Sequence, residues 1–325
     1  MRNPVPFEEF MRRALHDPER GYYARRIAGI GRGGDFTTAP MLSELPARAI
    51  ARWAATALRE TGCRDLIEIG PGEGRLALAV WKFLPRLLRW RTRLHLVESS
   101  EPLARHQKSL LGKTARWHEH PAAALEACGG NAVIYSNELL DAFPVRLFER
   151  TADDWREIAV ATDGTGATVE SLLPPGPLPD SSVFMEPFAT GQRVEVHDSL
   201  RAWFPTWLGG WKSGRMLSID YGAADAAQLY QRRPRGTLRA YLFHQRLEGP
   251  ALYENPGRQD ITADVNFADV IRWTEASART LRLTSFASFL SEQLADATAP
   301  TSPLFDEDGA GGAFLTLEQE PARRD

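Results

Sequence analysis

Three glycines spaced two residues apart are the strongest chemical signal in the sequence. Gly70, Gly72 and Gly74 follow the apolar segment DLIEI and precede a helical pattern that begins near Arg75. A chain that turns from strand to helix beneath a bound nucleoside needs positive φ angles and no Cβ atoms, and glycine supplies both. The G-x-G-x-G spacing differs from the G-x-G-x-x-G of dinucleotide sites, where a pyrophosphate rests on the helix N-terminus. The turn therefore predicts a phosphate-free nucleoside such as S-adenosylmethionine (SAM), with a tight ligand-free turn as the alternative.

Two glutamates flank this turn at positions suited to the same ligand. Glu68 lies just before the glycines, where an acidic group can meet the ammonium group of SAM directly or through water. Glu98 ends the segment RLHLVE, 24 positions past Gly74. A carboxylate at about this spacing accepts hydrogen bonds from the ribose hydroxyls of an adenosine. Taken alone, Glu98 is equally consistent with a solvated strand end or a helix cap.

A third group of polar residues predicts an acceptor site. Asn137, Glu138 and Asp141 follow the apolar segment NAVIY, within SNELLDAFPV. Ligands of open parallel sheets bind outside the strand C-termini, and a pair of carboxylates can hold a guanidinium in a bidentate fork. The alternative is that Asn137 and Asp141 cap a helix and Glu138 sits in its first turn. Asp220 and Tyr221, in SIDYG, also follow a strand-like segment and are candidate substrate contacts.

The elements that position these residues alternate between strand and helix patterns. Strands are predicted over 65–70, 93–98, 131–137 and 214–222, with helices over about 75–88 and 101–111. Nearly continuous apolar runs such as LHLV and AVIY are typical of parallel strands buried on both faces. The pattern predicts an α/β, Rossmann-like fold with a mostly parallel sheet and helices on both faces.

The composition on either side of this alternation suggests how the chain is divided. Residues 1–64 are predicted to form a helical cap that includes a glycine-rich loop over 21–40, which either is permanently ordered or closes on the ligand. Residues 65–325 form the predicted methyltransferase core. An insertion at about 150–192 interrupts that core, because short strand patterns and the proline-rich stretch LLPPGPLPD replace the α/β alternation there.

Overall composition argues against several other classes of protein. With 39 basic and 42 acidic residues, the net charge of −3 does not indicate a nucleic-acid binder, and charges interrupt every apolar run before the ~20 residues of a membrane span. Two cysteines, Cys63 and Cys128, stand far apart, and the histidines lack metal-ligand spacing such as HExxH, so no metal site is predicted. A first segment without a secretory h-region leads us to expect cytoplasmic residence.

Several motifs together resemble the MidA-like family of SAM-dependent methyltransferases, whose mitochondrial members are protein arginine methyltransferases needed for assembly of respiratory complex I. They are, in order, GYYARR, GDFTTAP, IEIGPGEG, SNELLDAFPVRLF, SIDYG, GTLRAY and QDITADVNF. The resemblance implies SAM contacts from the glycine turn, Glu98 and the loop residues Gly34, Asp35, Phe36, Thr37 and Thr38. It also implies substrate near Asn137, Glu138 and Asp141. Met41, the Pro46-Ala47 pair and Asn266 depart from the residues usual in the family.

The residues and the resemblance lead to one functional hypothesis with named alternatives. We expect SAM-dependent methylation of an arginine side chain on a partner protein, such as a respiratory-complex subunit. A methyltransferase that acts on a small-molecule oxygen or nitrogen is the first alternative. A noncatalytic SAM-binding assembly factor is the second. A dinucleotide oxidoreductase is disfavoured by the glycine spacing. The sequence does not indicate an oligomeric state.

Overall fold

The computed structural model describes residues 4–25, 43–164, 167–295 and 302–322. The helices are α1 (Phe7–His16), α2 (Tyr22–Arg25), α3 (Leu45–Thr61), α4 (Arg75–Phe83), α5 (Arg86–Arg91), α6 (Glu101–Leu111), α7 (Pro121–Ala127), α8 (Asp198–Trp203), α9 (Ala226–Leu229), α10 (Phe267–Thr274) and α11 (Phe286–Gln293). The strands are β1 (Val5–Pro6), β2 (Asp65–Ile69), β3 (Arg93–Val97), β4 (Ala115–His118), β5 (Val133–Asn137), β6 (Arg146–Arg150), β7 (Trp155–Thr162), β8 (Thr168–Leu172), β9 (Arg193–Val196), β10 (Met216–Ala223), β11 (Arg239–Leu242), β12 (Gln245–Leu247), β13 (Asp260–Thr262), β14 (Val265–Asn266), β15 (Ala278–Ser285) and β16 (Phe314–Pro321).

The central sheet has eight strands and is mostly parallel. Its order is β15-β16-β10-β5-β2-β3-β4, and β14 pairs with β10 outside this path. The pairs formed by β4, β3, β2, β5 and β10 are parallel, whereas β16 runs antiparallel to both of its neighbours. This arrangement confirms the predicted α/β class. It also brings the carboxyl ends of β2, β3, β5 and β10 to one edge of the sheet, where the candidate site lies.

Alternate residues of the central strands pack on opposite faces of the sheet. Along β2, Leu66 belongs to a core shared with α3, α4 and α11, while Ile67 belongs to a core shared with α7, α8 and α10. This follows from the two-residue period of side-chain direction in a strand. Burial of each such aliphatic side chain stabilises the folded state by about 1.5–3 kcal/mol compared with leaving it exposed to water. Helices therefore cover both faces, which holds the strand ends rigidly in place.

Two smaller antiparallel sheets lie outside this core. One contains β1-β7-β6-β9, with β8 added to β7, and the other has the order β12-β11-β13. Helix α1 packs on both through Phe7 and Met11, which share a core with Leu147, Ile158 and Ile261. By contrast, α3 shares the core of the central sheet. The division at residue 64 and the insertion at about 150–192 stay predictions about domain organisation.

One predicted helix is interrupted in the structure. The helix expected over 75–88 ends at Phe83, and a separate short helix begins at Arg86. Pro85 is the cause, because a proline disfavours helical backbone in the residue before it. Leu84 accordingly has φ −58° and ψ 138°, outside the helical region. No helix in the described ranges is long and apolar enough to cross a membrane.

Candidate active site at the carboxyl edge of the central sheet

The glycine turn has the backbone geometry that its sequence predicted. Gly70, Gly72 and Gly74 all have positive φ angles, of 69°, 52° and 79°. Glycine is favoured at Gly70 by its positive φ, and a Cβ atom there would lie 2.6 Å from Cδ1 of Leu139, so that side chain would have to move. The turn closes through a 2.8 Å hydrogen bond from the Gly74 amide to the Pro71 carbonyl, and α4 begins directly after it. The turn therefore presents backbone without side chains at the carboxyl end of β2. We call this surface, formed by Gly70 and Gly72, the ledge.

Glu98 follows β3 beside this ledge. Its Oε1 accepts a 2.8 Å hydrogen bond from the Ser100 amide, and its Oε2 accepts one of 3.1 Å from Nε2 of Gln107. Glu98 thus bonds to the backbone just before α6, as the helix-cap alternative predicts in part, and the carboxylate keeps acceptor capacity for a further donor. Burial raises the pKa of Glu98 to about 7, although these hydrogen bonds oppose the shift.

Gln107 is a positioning residue that sequence reasoning missed. This fully buried side chain donates to the Gly72 carbonyl at 2.7 Å and to Glu98, and it accepts a 3.0 Å hydrogen bond from the Trp117 indole. It therefore ties the glycine turn to the carboxylate predicted to bind ribose. Nothing in its local pattern, within the amphipathic helix α6, distinguishes it from an ordinary core-facing residue.

Glu68 is more deeply buried than the sequence suggested. Only 2% of the residue is exposed, and its Oε2 accepts a 2.8 Å hydrogen bond from the Tyr135 hydroxyl. Desolvation raises the pKa of Glu68 to about 8, against the effect of that hydrogen bond. The side chain is therefore mostly protonated at neutral pH before a cation approaches. It still lines the cavity described below, so an approaching ammonium group would favour its charged form.

The three predicted acceptor residues lie together at the end of β5. The Asn137 side chain donates a 3.0 Å hydrogen bond to Oε1 of Glu138, and Glu138 has a positive φ of 50°. A non-glycine residue in this conformation stores roughly 1–3 kcal/mol of strain and persists only where its surroundings hold it. Asp141 is buried, and burial together with Asp260 and Asp264 raises its pKa to about 7, while Arg239 opposes the rise. This turn is not the ordinary helix start of the alternative, since no helix follows it.

Asp220 is placed behind this turn and not in the cleft. Its Oδ2 accepts hydrogen bonds from the backbone amides of Leu139, Leu140 and Asp141, at 3.0, 2.7 and 3.4 Å. The carboxyl group is fully buried and its second oxygen accepts from the Tyr221 amide. Asp220 is therefore a positioning residue that shapes the acceptor turn. The direct substrate contact predicted for it is corrected on this ground, because backbone donors already surround the carboxylate.

A single cavity of about 600 Å³ joins the predicted cofactor and acceptor residues. Glu68, the glycines Gly70 and Gly72, Glu98, Asn137, Glu138 and Asp141 all line it. Gly74 and Asp220 do not line it, and Tyr221 lines a second, larger cavity. A volume of this size lies within the ~300–1,000 Å³ of pockets that enclose small-molecule ligands. Cofactor-type and acceptor-type residues therefore open onto one space.

Other lining residues come from motifs to which the sequence analysis gave no role. The Tyr23 hydroxyl, from GYYARR, donates a 2.8 Å hydrogen bond to Oδ1 of Asp260, from QDITADVNF. Both residues line the cavity, and the Tyr23 carbonyl accepts a hydrogen bond from the Ser100 hydroxyl at 2.8 Å. This contact attaches the N-terminal segment to the rim of the site. The predicted SAM contacts from Gly34, Asp35, Phe36, Thr37 and Thr38 lie outside the described residues.

One cluster of metal-binding residue types was not anticipated. Ligand atoms of Asp65, His95 and Cys128 lie within 4.8 Å of one another and are buried. They lie away from the cavity, with Asp65 at the opposite end of β2 from the glycine turn. Both oxygens of Asp65 bond to Arg93, and His95 bonds to Asp65 and to His118. Side chains of the cluster are therefore hydrogen-bonded to one another and to Arg93 and His118.

Curated relatives of this chain include the mitochondrial protein arginine methyltransferase NDUFAF7 of Homo sapiens and its Caenorhabditis elegans homologue. The chain is 25% identical to the human protein over 307 residues, covering 86% of the chain and 67% of that protein. It is 27% identical to the C. elegans protein over 305 residues, covering 81% and 67%. The chain spans about two thirds of the length of the curated relatives it matches.

The names of these relatives overturn the expectation of cytoplasmic residence, because they are mitochondrial proteins. That expectation rested on the lack of a secretory h-region, which does not distinguish the cytosol from the mitochondrion.

A solved structure and a family match complete the comparison. The crystal structure of a Burkholderia thailandensis protein bound to S-adenosyl-homocysteine has a TM-score of 0.84 to this chain, at 30% identity, covering 98% of this chain and 88% of that one. A family described as S-adenosyl-L-methionine-dependent methyltransferases matches residues 49–284. Together with the glycine turn and the cavity of about 600 Å³, these findings identify the cofactor as SAM. The chain belongs to the MidA-like family of SAM-dependent methyltransferases.

Proposed function

We propose that this methyltransferase modifies a guanidinium nitrogen of an arginine side chain on a partner protein. The observation that carries the proposal is that Glu138 and Asp141 line the same cavity as the glycine turn and Glu98. Two carboxylates can accept the paired N–H groups of a guanidinium, and this recognition is selective for arginine over lysine. The names of the curated relatives as protein arginine methyltransferases support the same acceptor.

The cofactor-side residues offer the groups that a bound SAM needs. The ledge at Gly70 and Gly72 offers backbone without side chains, and the Glu98 carboxylate keeps acceptor capacity for a ribose hydroxyl. Glu68 lies within the same cavity, where its carboxylate form would balance an ammonium group. When bound, SAM supplies an electrophilic methyl group and leaves as the neutral thioether.

The acceptor-side residues orient the nucleophile and take up the proton. Glu138 and Asp141 hold the guanidinium so that its positive charge is drawn toward the carboxylates and away from the attacking nitrogen. That nitrogen forms one bond to carbon and releases one proton. Asp141, with a pKa of about 7, can accept this proton near neutral pH. Asn137 fixes Glu138 through its hydrogen bond, and Asp220 fixes the turn, so most of the rate gain comes from orientation.

The experiment is methyl transfer from SAM labelled in its methyl group to a cell extract, followed by separation of macromolecules from small molecules. We expect label in the protein fraction with the wild-type chain and none with Glu138→Gln, although that variant retains SAM affinity in calorimetry. Label confined to the small-molecule fraction would contradict the proposal in favour of a small oxygen or nitrogen acceptor. Retained SAM binding with no transfer to any fraction would support a noncatalytic assembly factor instead.

A further inference from the structure

A second cavity, of about 1360 Å³, is rich in arginine. Its lining contains six arginines but only three acidic residues, Glu170, Glu248 and Asp264. The arginines are Arg193, Arg232, Arg233, Arg235, Arg239 and Arg246. We call this space the basic cavity. Its excess of positive charge contrasts with the net charge of −3 of the whole chain, so the basic character is local.

The arginines of the basic cavity are not equally engaged by acidic neighbours. Arg233 and Arg239 both pair with Asp264, Arg193 pairs with Glu170 at 2.7 Å, and Arg246 pairs with Glu248 at 2.6 Å. Arg232 and Arg235 are exposed and form no ion pair among the residues that the structure describes. Within that part of the chain, no acidic side chain competes with an anion for these two guanidinium groups.

The basic cavity lies beside the cavity that contains the acceptor residues, although the two share no lining residue. In the pairing of β11 with β13, Arg239 is opposite Thr262 and Tyr241 is opposite Asp260. The β11 member of each pair lines the basic cavity, and the β13 member lines the cofactor and acceptor cavity. The basic cavity is therefore within reach of the residues that flank an arginine bound in the acceptor site.

We propose that the basic cavity binds an acidic segment of the protein acceptor, adjacent to the arginine that is methylated. The inference rests on the proposed function and specifies its substrate class. A volume of about 1360 Å³ exceeds the ~300–1,000 Å³ typical of pockets for small ligands. A peptide segment uses that volume, and its carboxylates complement the unpaired guanidiniums of Arg232 and Arg235. Arginine acceptors with acidic neighbours are then preferred over those with neutral or basic neighbours.

The test measures binding of fluorescent peptides to the full chain saturated with S-adenosyl-homocysteine. Each peptide carries a single arginine flanked on both sides by glutamates, glutamines or lysines. The test variant reverses charge at the cavity, R232E with R235E. The control variant, R64E with R86E, makes the same change in net charge at exposed residues that line neither cavity. Calorimetry with S-adenosyl-homocysteine shows that both variants are folded and keep the cofactor site.

We expect the glutamate peptide to bind at least about tenfold more tightly than the glutamine peptide, and more weakly as salt rises from about 50 to 300 mM. The test variant should lose at least about tenfold in affinity for the glutamate peptide, and the control variant less than about threefold. Equal binding of the glutamate and glutamine peptides, or equal loss in both variants, would overturn the proposal. Displacement of every peptide by inorganic phosphate without any preference among them would also overturn it, in favour of a small-anion site.

Methylation of the same peptides distinguishes failure of this inference from failure of the proposed function on which it rests. If the glutamate peptide binds as expected but no arginine in any peptide is methylated, the arginine acceptor is wrong and the basic cavity stands. If the glutamine peptide is methylated as efficiently as the glutamate peptide and binds equally well, the arginine acceptor stands and the role of the basic cavity is wrong.

Discussion

Replacing Glu98 by glutamine should weaken SAM binding by a predictable amount. The Glu98 carboxylate already accepts hydrogen bonds from Ser100 and from Gln107, and it keeps acceptor capacity for a ribose hydroxyl. The amide keeps one oxygen acceptor and loses the other together with the negative charge. A hydrogen bond to a charged group contributes about 1.5–3 kcal/mol. Loss of one such bond corresponds to roughly a 10- to 150-fold increase in Kd.

The assay is calorimetric titration of the full chain with S-adenosyl-homocysteine at pH 8, above the value of about 7 to which burial raises the pKa of Glu98. Glu101→Gln is the matched control, because it makes the same chemical change nearby on an exposed side chain. We expect the control to bind like the wild-type chain. A Kd for Glu98→Gln within about threefold of the wild-type value, a difference below ~0.7 kcal/mol, would refute the assigned ribose contact.

Three further perturbations follow from the same geometry. Gly70→Ala should weaken SAM binding at least about tenfold, because its Cβ would lie 2.6 Å from Cδ1 of Leu139 and force that cavity-lining side chain to move. Gly62→Ala, also at positive φ but with no atom within 4 Å, should cost only backbone strain of about 1 kcal/mol and leave binding intact. Calorimetry and thermal unfolding measure both effects. Glu68 has a folded-state pKa of about 8, above its ordinary value of 4.5, so between these values the folded state keeps a proton that the unfolded state loses, and stability falls as pH rises. Unfolding free energy measured from pH 5 to 8 should therefore fall less steeply in Glu68→Gln, by about 1.4 kcal/mol per pH unit, and an unchanged slope would contradict the buried protonated carboxyl. Glu138→Gln should lower kcat by about 10²-fold or more while the Kd for SAM stays unchanged; a parallel loss of both would indicate a structural role.

The geometry of the glycine turn and the position of Glu98 could be predicted because their determinants are local. Positive φ angles at Gly70, Gly72 and Gly74 follow from a turn whose residues adjoin in sequence, and Glu98 follows from the fixed spacing of two neighbouring parallel strands. The same rule placed Asn137 and Glu138 correctly at a strand end. Regular elements carry enough pattern to fix such positions before packing is known.

The remaining features depend on contacts between distant residues. Tyr23 and Asp260 meet across 237 positions, and Gln107 reaches the glycine turn from another helix, so no local pattern marks them. Asp220 was given a substrate contact that the structure does not support. The rule that ligands bind at the carboxyl ends of parallel strands placed Asp220 at the correct edge of the sheet. It could not show that the carboxylate turns toward backbone amides and not into the cleft.

The measurement that tests the central claim most directly is residue analysis of the labelled product. Protein labelled by the wild-type chain with methyl-labelled SAM is hydrolysed, and the modified amino acid is identified by mass spectrometry. The account predicts methylarginine as the labelled residue, and its absence from the reaction with Glu138→Gln, a variant shown by calorimetry to bind SAM. Label on lysine, on a carboxyl group or on a small molecule would contradict a cavity in which Glu138 and Asp141 hold a guanidinium.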